Sequence, residues 1–191
     1  MTGRGLRERK KAQTRKRLAE VAFRLFQERG FDGVTVAEIA DASDVAVSTL
    51  FSYFPSKEAL VFDQDDDLEN SLIAAVRNRS RDVSIIDALE THLSAPRPKA
   101  ADGPTPADFT ALVNTTPALQ EYADRMHRRW ERSLATAIAE EAQLPPGDPA
   151  ATALARFALD TRLLAGMNPS PETSLRAIFD RLRHGWSDFG R

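Results

Sequence analysis

The sequence predicts an all-α protein of about nine helices, with a short N-terminal part of three helices and a larger helical C-terminal part. Apolar residues recur at steps of three and four along most of the chain, and no segment shows the sustained two-residue alternation of a strand. Breaks rich in proline and glycine divide this pattern into pieces of helix length. The clearest breaks are APRPKAADGPTP (95–106), LPPGDP (144–149) and GMNPSP (166–171).

The composition narrows the class of protein. Of 191 residues, 42% are hydrophobic and 28% charged, which is typical of a globular protein. No apolar run reaches the roughly 18–20 residues of a membrane span, and no apolar stretch follows the charges of MTGRGLRERKKAQTRKR, so we expect neither a membrane segment nor a secretory signal. The absence of cysteine excludes disulfides and thiolate metal sites and fits a cytoplasmic protein.

Signatures of catalysis and of metal binding are missing. His92, His127 and His184 lie too far apart for a helical metal motif, and there is no glycine-rich phosphate loop and no GxSxG elbow. The acids Asp63 and 65–67 raise the possibility of a metal site, but their bunching between apolar positions favours a solvated helix face. We therefore expect no enzyme, no metal and no cofactor.

The net charge of −2 conceals an uneven distribution. Between Arg4 and Arg17 there are eight bases and one acid, and residues 1–57 sum to +4 while the rest sum to −6. A basic front on an acidic protein suggests a polyanion as partner, although a solvated charged tail is the alternative. Because apolar periodicity begins only at Leu18, we expect the first dozen residues to be mobile in the free protein.

The first three helices have recognisable boundaries. An apolar stripe begins at Leu18, and Gly30 stands just past its end, where a left-handed residue commonly stops a helix. Thr35 and Glu38 have the spacing of a capping box, which marks the start of a second helix. After a tight turn, a third short helix is ended by Pro55, since the residue before a proline is disfavoured in helical geometry.

Two short helices joined by a tight turn are the layout of a helix-turn-helix, whose second helix enters the major groove of DNA. The third helix carries small or hydroxyl-bearing residues that allow a close approach to bases and phosphates, while Leu50 and Phe54 can face inward. A surface helix with polar filler is the alternative, because clusters of three helices occur in unrelated folds.

Four segments resemble the DNA-binding domain of the TetR family of bacterial transcriptional regulators. LFQERGF (25–31), TVAEIADA (35–42), STLFSYF (48–54) and PSKEAL (55–60) match the family pattern in order and spacing. The resemblance implies a DNA-binding domain with a basic tail over residues 1–57, followed by an effector-binding and dimerisation domain. The second domain would cover residues 58–191.

The resemblance also implies the residues that contact DNA. Thr35 would meet a phosphate at the start of the second helix, the third helix would lie in the groove, and Lys57 would grip the backbone. The full implied set is Thr35, Val47, Ser48, Thr49, Ser52, Tyr53, Lys57, and Arg15 and Lys16 of the basic tail.

Four positions depart from the family pattern. Phe51 replaces the usual Tyr, so a hydroxyl contact to phosphate is lost, and Ser48 replaces a common Gly, which adds a hydroxyl. Asp44 replaces the turn Gly, and Asp tolerates a positive φ better than most residues. Ala46 replaces a common Ser and weakens the cap of the third helix.

Six further helices are expected after Pro55, over about Lys57–Arg79, Ser84–Ser94, Ala107–Asn114, 117–143, 150–165 and 171–187. The helix near 150–165 is apolar almost all the way round, so it requires cover on two sides. Dimerisation through the last two helices, as the resemblance implies, would supply that cover. The expected interface is Leu154, Ala158, Leu175, Ile178, Phe179, Leu182 and Trp186.

An inner cavity for a small apolar or amphipathic effector is a further expectation, although such residues at helical spacing are more often plain core. Arg125, Arg128 and Arg129 could bind an anionic head group, with a solvated helix face as the alternative. The helix at 117–143 is similar to that of actinobacterial family members, some of which respond to acyl-CoA-type ligands. The candidate pocket residues are Phe62, Phe109, Tyr122, Met126, Trp130 and Phe157.

Together these features predict a ligand-responsive repressor that binds a palindromic, double-stranded DNA operator as a homodimer and that an effector releases. Two alternatives stay open at this point. One is a helix-turn-helix regulator without a small-molecule effector, and the other is a helical enzyme or carrier with an incidental helix-turn-helix.

Overall fold

The computed structural model describes residues 3–63, 65–95, 105–166, 168 and 170–185. This part of the chain contains nine α-helices and one 3-10 turn, and it contains no strand, so the predicted fold class is confirmed. The helices are α1 (Gly3–Arg29), α2 (Val36–Ala42), α3 (Val47–Tyr53), α4 (Asp65–Arg77), α5 (Ile85–Ser94), α6 (Pro106–Thr115), α7 (Pro117–Glu141), α8 (Pro149–Gly166) and α9 (Pro171–His184).

Packing divides the chain into two compact units. Unit 1 consists of Met1–Asp65 with Pro98–Asp124, and unit 2 consists of Asp66–Arg97 with Arg125–Arg191. This grouping differs from a simple cut after residue 57, because α6 packs against α1 within unit 1. The assignment of residues 1–57 to a DNA-binding domain and of residues 58–191 to an effector-binding and dimerisation domain stays a prediction.

Unit 1 positions α3 by packing α1, α2 and α3 around one small core. Its fully buried side chains include Leu18, Phe26, Ile39, Leu50 and Phe54. The chain reversals take the forms that the sequence predicts. Gly30 has a φ of 75° and ends α1, and Asp44 has a φ of 52° in the turn between α2 and α3.

Two predictions about helix ends near unit 1 are wrong. The first helix does not begin near Leu18, where the apolar stripe starts, because α1 begins at Gly3 and runs unbroken for 27 residues. No long helix begins at Lys57 either, since a 3-10 turn (Glu58–Leu60) precedes α4. The carbonyl of Asp63 accepts a hydrogen bond from the Arg15 side chain. A continuous α-helix would have used that carbonyl for a backbone N–H four residues later.

The core of unit 2 receives side chains from α4, α5, α7, α8 and α9, and α5, α8 and α9 pack on one another. α8 turns a row of small residues inward, including Ala151, Ala155 and Ala158, and this row allows close approach of the neighbouring helices. Its opposite side exposes Leu163 and Leu164, with exposed fractions of 60% and 55%. The apolar surface of α8 therefore has two faces, of which the core of this chain covers only one.

Three residues expected at a dimer interface are buried in this core. Ala158, Leu175 and Phe179 are buried within the protomer, because α8 and α9 pack on each other through these side chains. Leu154 and Leu182 are half-buried and pack against the same core, and Ile178 is also half-buried. Trp186, the last residue of the expected set, lies outside the described residues.

Candidate nucleic-acid interface

The exposed face of α3 is the centre of the candidate interface. Leu50 anchors the helix in the core of unit 1, while most of its remaining side chains face solvent. No side chain caps its N-terminus, as expected from Ala46 at the N-cap position. The exposed members are Val47, Ser48, Thr49, Phe51 and Ser52.

Hydroxyl groups on this face are available for polar contacts. Ser48 and Thr49 are exposed. Ser52 donates its hydroxyl hydrogen to the carbonyl of Thr49 at 2.6 Å, so its oxygen faces solvent mainly as an acceptor. The face is therefore a mixture of hydroxyl groups and apolar groups, without a charged side chain.

A basic surface on α1 lies beside the end of α3. Arg7, Lys10, Lys11 and Thr14 line an open groove together with Tyr53, the last residue of α3. Lys16 is also exposed and pairs with Glu20 at 3.5 Å, one turn further along the helix. The continuous helix α1 thus places at least three positive charges beside the exposed helix, which favours a polyanion as ligand.

Thr35 is committed to the capping box that the sequence predicts. Its backbone N–H and its hydroxyl both donate to the Glu38 carboxylate at 2.7 Å, and its hydroxyl oxygen accepts from the Glu38 N–H at 3.3 Å. These hydrogen bonds from Thr35, with a further one from Arg29, lower the pKa of Glu38 to about 2. A phosphate bound by Thr35 would have to share the backbone N–H and the hydroxyl of Thr35 with the Glu38 carboxylate. The phosphate contact therefore stays a prediction.

The partly buried side chain of Arg15 links α1 to the end of α3 and to Asp63. Its guanidinium donates to the carbonyls of Tyr53 (2.8 Å) and Asp63 (2.7 Å), lies 2.8 Å from the Asp63 carboxylate, and stacks over the ring of Phe54. The sequence offers no local signal for these contacts, because their partners lie 38 and 48 residues away. The expected phosphate contact of Arg15 therefore competes with an internal role.

Lys57 has a similar internal environment. Its ammonium donates to the carbonyl of Phe31 at 2.5 Å and lies over the rings of Phe31 and Phe26. Burial lowers the pKa of Lys57, and nearby acids, Asp32 first among them, oppose that effect. The phosphate contact expected of Lys57 is thus an untested prediction, and the structure supplies a second explanation for a lysine at this position.

Three of the candidate effector-pocket residues form an aromatic cluster in unit 1. The ring of Phe62 meets Phe109 edge-on with centroids 5.5 Å apart, and it stacks on Tyr122 at 5.1 Å. Phe62 is buried and the other two rings are half-buried. The rings touch one another directly, as in an ordinary hydrophobic core.

The other three candidates lie in unit 2. Trp130 is buried in the core and Met126 packs against it, while Phe157 meets Phe179 edge-on. The indole N–H of Trp130 is buried and has no hydrogen-bond partner among the described residues. Arg129 pairs with Glu69 at 2.8 Å, so at least one of the three candidate arginines has a partner within unit 2.

Two other classes of feature are not found in the part of the chain that the structure describes. No group of three His, Asp or Glu side chains there converges as metal ligands would. None of the helices there combines the length and the hydropathy needed to span a bilayer.

The geometry of α2, its turn and α3 defines a helix-turn-helix protein. The family model described as bacterial regulatory proteins, tetR family, matches residues 18–63, which cover α2, α3 and the C-terminal part of α1. Residues 18–63 thus carry the DNA-binding domain of the TetR family.

Curated relatives extend the match beyond that domain. The chain is 31% identical over 144 residues to the HTH-type transcriptional regulator TcmR of Streptomyces glaucescens. The aligned region covers 72% of this chain and 64% of TcmR. It is 39% identical over 49 residues to the HTH-type transcriptional repressor KstR of Mycobacterium tuberculosis. That aligned region covers 26% of this chain and 22% of KstR. Both relatives are regulators by name, and the match spans under two thirds of TcmR.

Solved structures share the fold at lower identity. Salmonella enterica GusR superposes with a TM-score of 0.54 and 22% identity, covering 90% of this chain and 92% of that one. The reduced form of Escherichia coli NemR gives a TM-score of 0.53 and 19% identity, covering 91% and 96%. At this level of identity the likeness concerns the fold alone.

Proposed function

We propose that the protein is a DNA-binding transcriptional regulator, most simply a repressor, and not an enzyme. The observation that carries this proposal is the exposed face of α3 beside the basic groove of α1. Phosphates would be bound by Arg7, Lys10 and Lys11, and the major groove would receive α3. A repressor acts on chromosomal DNA, so we place the protein in the cytoplasm.

A homodimer on a palindromic operator is the second part of the proposal. A single helix-turn-helix reads one half-site, and two-fold symmetric proteins read two half-sites in successive major grooves. The exposed Leu163 and Leu164 of α8 support a second copy of the chain as the cover for this face. A two-fold interface uses the same patch twice, so both copies would bury these leucines together.

Release of DNA by a small apolar or amphipathic effector is the third part. Its support is the buried and unpaired indole N–H of Trp130 within an otherwise apolar core. A buried donor without a partner is costly, and an effector that brings a hydrogen-bond acceptor would remove that cost. Acyl-CoA-type ligands, which carry carbonyl groups beside an apolar chain, are one class to test.

Footprinting on DNA that flanks the protein's own gene tests the first two parts. We expect the protein to protect a palindromic site at physiological salt. The logarithm of its affinity for that site should fall with the logarithm of the salt concentration, with a slope that reflects several phosphate contacts. Replacing Arg7, Lys10 and Lys11 by Gln should make that slope shallower by up to about three units. If the unmodified protein protected no particular site and bound all DNA equally, the proposal would be contradicted.

A matched variant controls for the change in net charge. Arg128, Arg132 and Arg176 are exposed on unit 2, away from α3 in sequence and packing unit. Their replacement by Gln removes the same three charges and should leave the slope within about one unit of the unmodified protein, since only charges beside the DNA release counterions.

A thermal-shift screen separates the proposal from a regulator without an effector. A ligand that binds only the folded state raises the melting temperature, and the shift grows with the logarithm of the ligand concentration above Kd. We expect a hit among acyl-chain or aromatic carbonyl compounds, accompanied by a change in the fluorescence of Trp130 in a Trp186→Phe background. A helix-turn-helix regulator that is controlled by a protein, or by its own abundance, would give no hit and would still bind the operator.

A further inference from the structure

The residue types on α3 restrict how it can read DNA. The helix VSTLFSY contains no Arg, Lys, Asn, Gln, Asp or Glu. The paired hydrogen bonds that distinguish bases in the major groove come from those side chains: Arg or Lys to guanine, Asn or Gln to adenine, and Asp or Glu to cytosine. α3 therefore has to distinguish sequences by other chemistry.

An apolar strip on α3 offers that chemistry. Val47 and Phe51 are four residues apart, so they lie on the same face of the helix. Their exposed fractions are 39% and 49%, and they are the exposed large hydrophobic residues of the described part of unit 1. Leu50 lies one turn from Val47 and next to Phe51, and it is fully buried and anchors α3 in the core. The strip therefore borders the buried side of α3, while its two side chains remain open to solvent.

The surroundings of the strip favour DNA as its ligand. Arg7, Lys10 and Lys11 share a groove with Tyr53 at the C-terminal end of α3. The hydroxyls of Ser48 and Thr49 lie on the exposed side of the same helix. An apolar strip bordered by hydroxyls and flanked by cations matches the major groove, where phosphates border the bases and the thymine 5-methyl group is the apolar feature.

We propose that Val47 and Phe51 recognise the 5-methyl groups of thymines, so that each half-site carries thymine at the positions facing this strip. The inference rests on the proposed DNA-binding function and adds the chemistry of base selection. Phe51, which lacks the hydroxyl that the TetR family usually carries at this position, covers one methyl group with its ring, and Val47 covers another. Selection depends on the methyl group itself and not on the hydrogen-bonding edge of the A·T pair.

Deoxyuridine separates these two possibilities. It pairs as thymine does and presents the same hydrogen-bonding groups, but it lacks the 5-methyl group. The operator is first obtained by selecting from a random double-stranded DNA library, and each thymine of one half-site is then replaced singly by deoxyuridine. Removing a methyl group that Val47 or Phe51 covers should weaken binding about 3- to 10-fold.

Variants of the two side chains link the methyl groups to α3. In Phe51→Ala the loss caused by deoxyuridine should disappear at one position, and in Val47→Ala at another, whereas Phe51→Leu should retain part of it. Because both side chains are exposed, the melting temperature should stay within about one or two degrees. Leu144→Ala, a change at an exposed leucine of unit 2, is the matched control and should keep the whole effect.

The possible failures are distinguishable. If the protein selects a defined operator but no deoxyuridine replacement changes its affinity, the inference is wrong and the proposed function stands. The inference is also wrong if the effect persists unchanged in Phe51→Ala and Val47→Ala, since other residues then contact the methyl groups. If the library yields no preferred sequence, the proposed function fails and the inference fails with it.

Discussion

The guanidinium of Arg15 lies 2.8 Å from the carboxylate of Asp63 and donates to the carbonyl of the same residue at 2.7 Å. A third contact, to the carbonyl of Tyr53, ties α1 to the last residue of α3. One side chain therefore connects α1, α3 and the segment before α4. The same guanidinium thus takes part in a partly exposed ion pair and in the contact between α1 and the end of α3.

Replacing Arg15 by Gln should therefore destabilise the protein. Two hydrogen bonds, the ion pair with Asp63 and the stacking on Phe54 would be lost, for a cost of about 1–3 kcal/mol. Urea unfolding measures this cost, and the exposed Arg17→Gln on the same helix is the control. Unchanged stability with weakened DNA binding would instead place Arg15 among the phosphate contacts.

Lys57→Met tests whether Lys57 acts inside the protein. Met keeps the apolar stem against Phe26 and Phe31 but removes the hydrogen bond to the Phe31 carbonyl and the cation over the rings. We expect a loss of about 1–2 kcal/mol in the free energy of unfolding, with the salt slope of DNA binding unchanged. A salt slope that becomes shallower by about one unit at full stability would show that Lys57 binds a phosphate.

Glu38→Gln should alter the stability of the protein in acid. The pKa of the Glu38 carboxyl is lowered from 4.5 to about 2 by hydrogen bonds from Thr35 and Arg29, so its ionised form stabilises the folded state. That contribution is present above pH 4.5 and is lost as the pH falls towards 2.

The variant should accordingly be less stable than the unmodified protein at pH 7, and the difference should shrink between pH 4.5 and 2. Chemical unfolding at a series of pH values measures it. Glu28→Gln, at an exposed position of α1, is the control and should run parallel to the unmodified protein. If the difference in unfolding free energy between Glu38→Gln and the unmodified protein did not vary with pH, the carboxylate charge at position 38 would not contribute to stability.

Leu163→Glu and Leu164→Glu test the dimer. Both leucines are exposed in the single chain, so the variants should fold, but in a two-fold interface each substitution would bury two carboxylates. We expect sedimentation to give the 21.1 kDa of one chain for the variants and twice that mass for the unmodified protein, with weaker operator binding by the variants.

Leu144→Glu, at an exposed leucine outside α8, should leave the mass and the operator affinity unchanged. If the α8 variants sedimented as dimers, the interface would lie elsewhere. Substitution of Phe179 would not serve this purpose, because that ring is fully buried within the protomer and its loss would unfold unit 2.

Features that depend on near neighbours could be predicted from the sequence. The spacing of Thr35 and Glu38 was enough for the capping box, and Gly30 and Asp44 mark two chain reversals because few other residues tolerate a positive φ. The apolar surface all round α8 also indicated that it needs cover on two sides. Each of these properties arises from a few consecutive residues.

The sequence by itself thus determined the fold class, the helix-turn-helix and the residue types on α3, but not every helix boundary. Only the tertiary structure decided which side chains face inward: it places Phe179 and Ala158 in the core, Leu163 on the surface, and Arg15 on Asp63. The physical reason is the distance along the chain over which each kind of interaction acts. Caps and turns are decided by hydrogen bonds within a few residues, whereas burial and long-range ion pairs depend on segments far apart in the chain, whose approach no local pattern encodes.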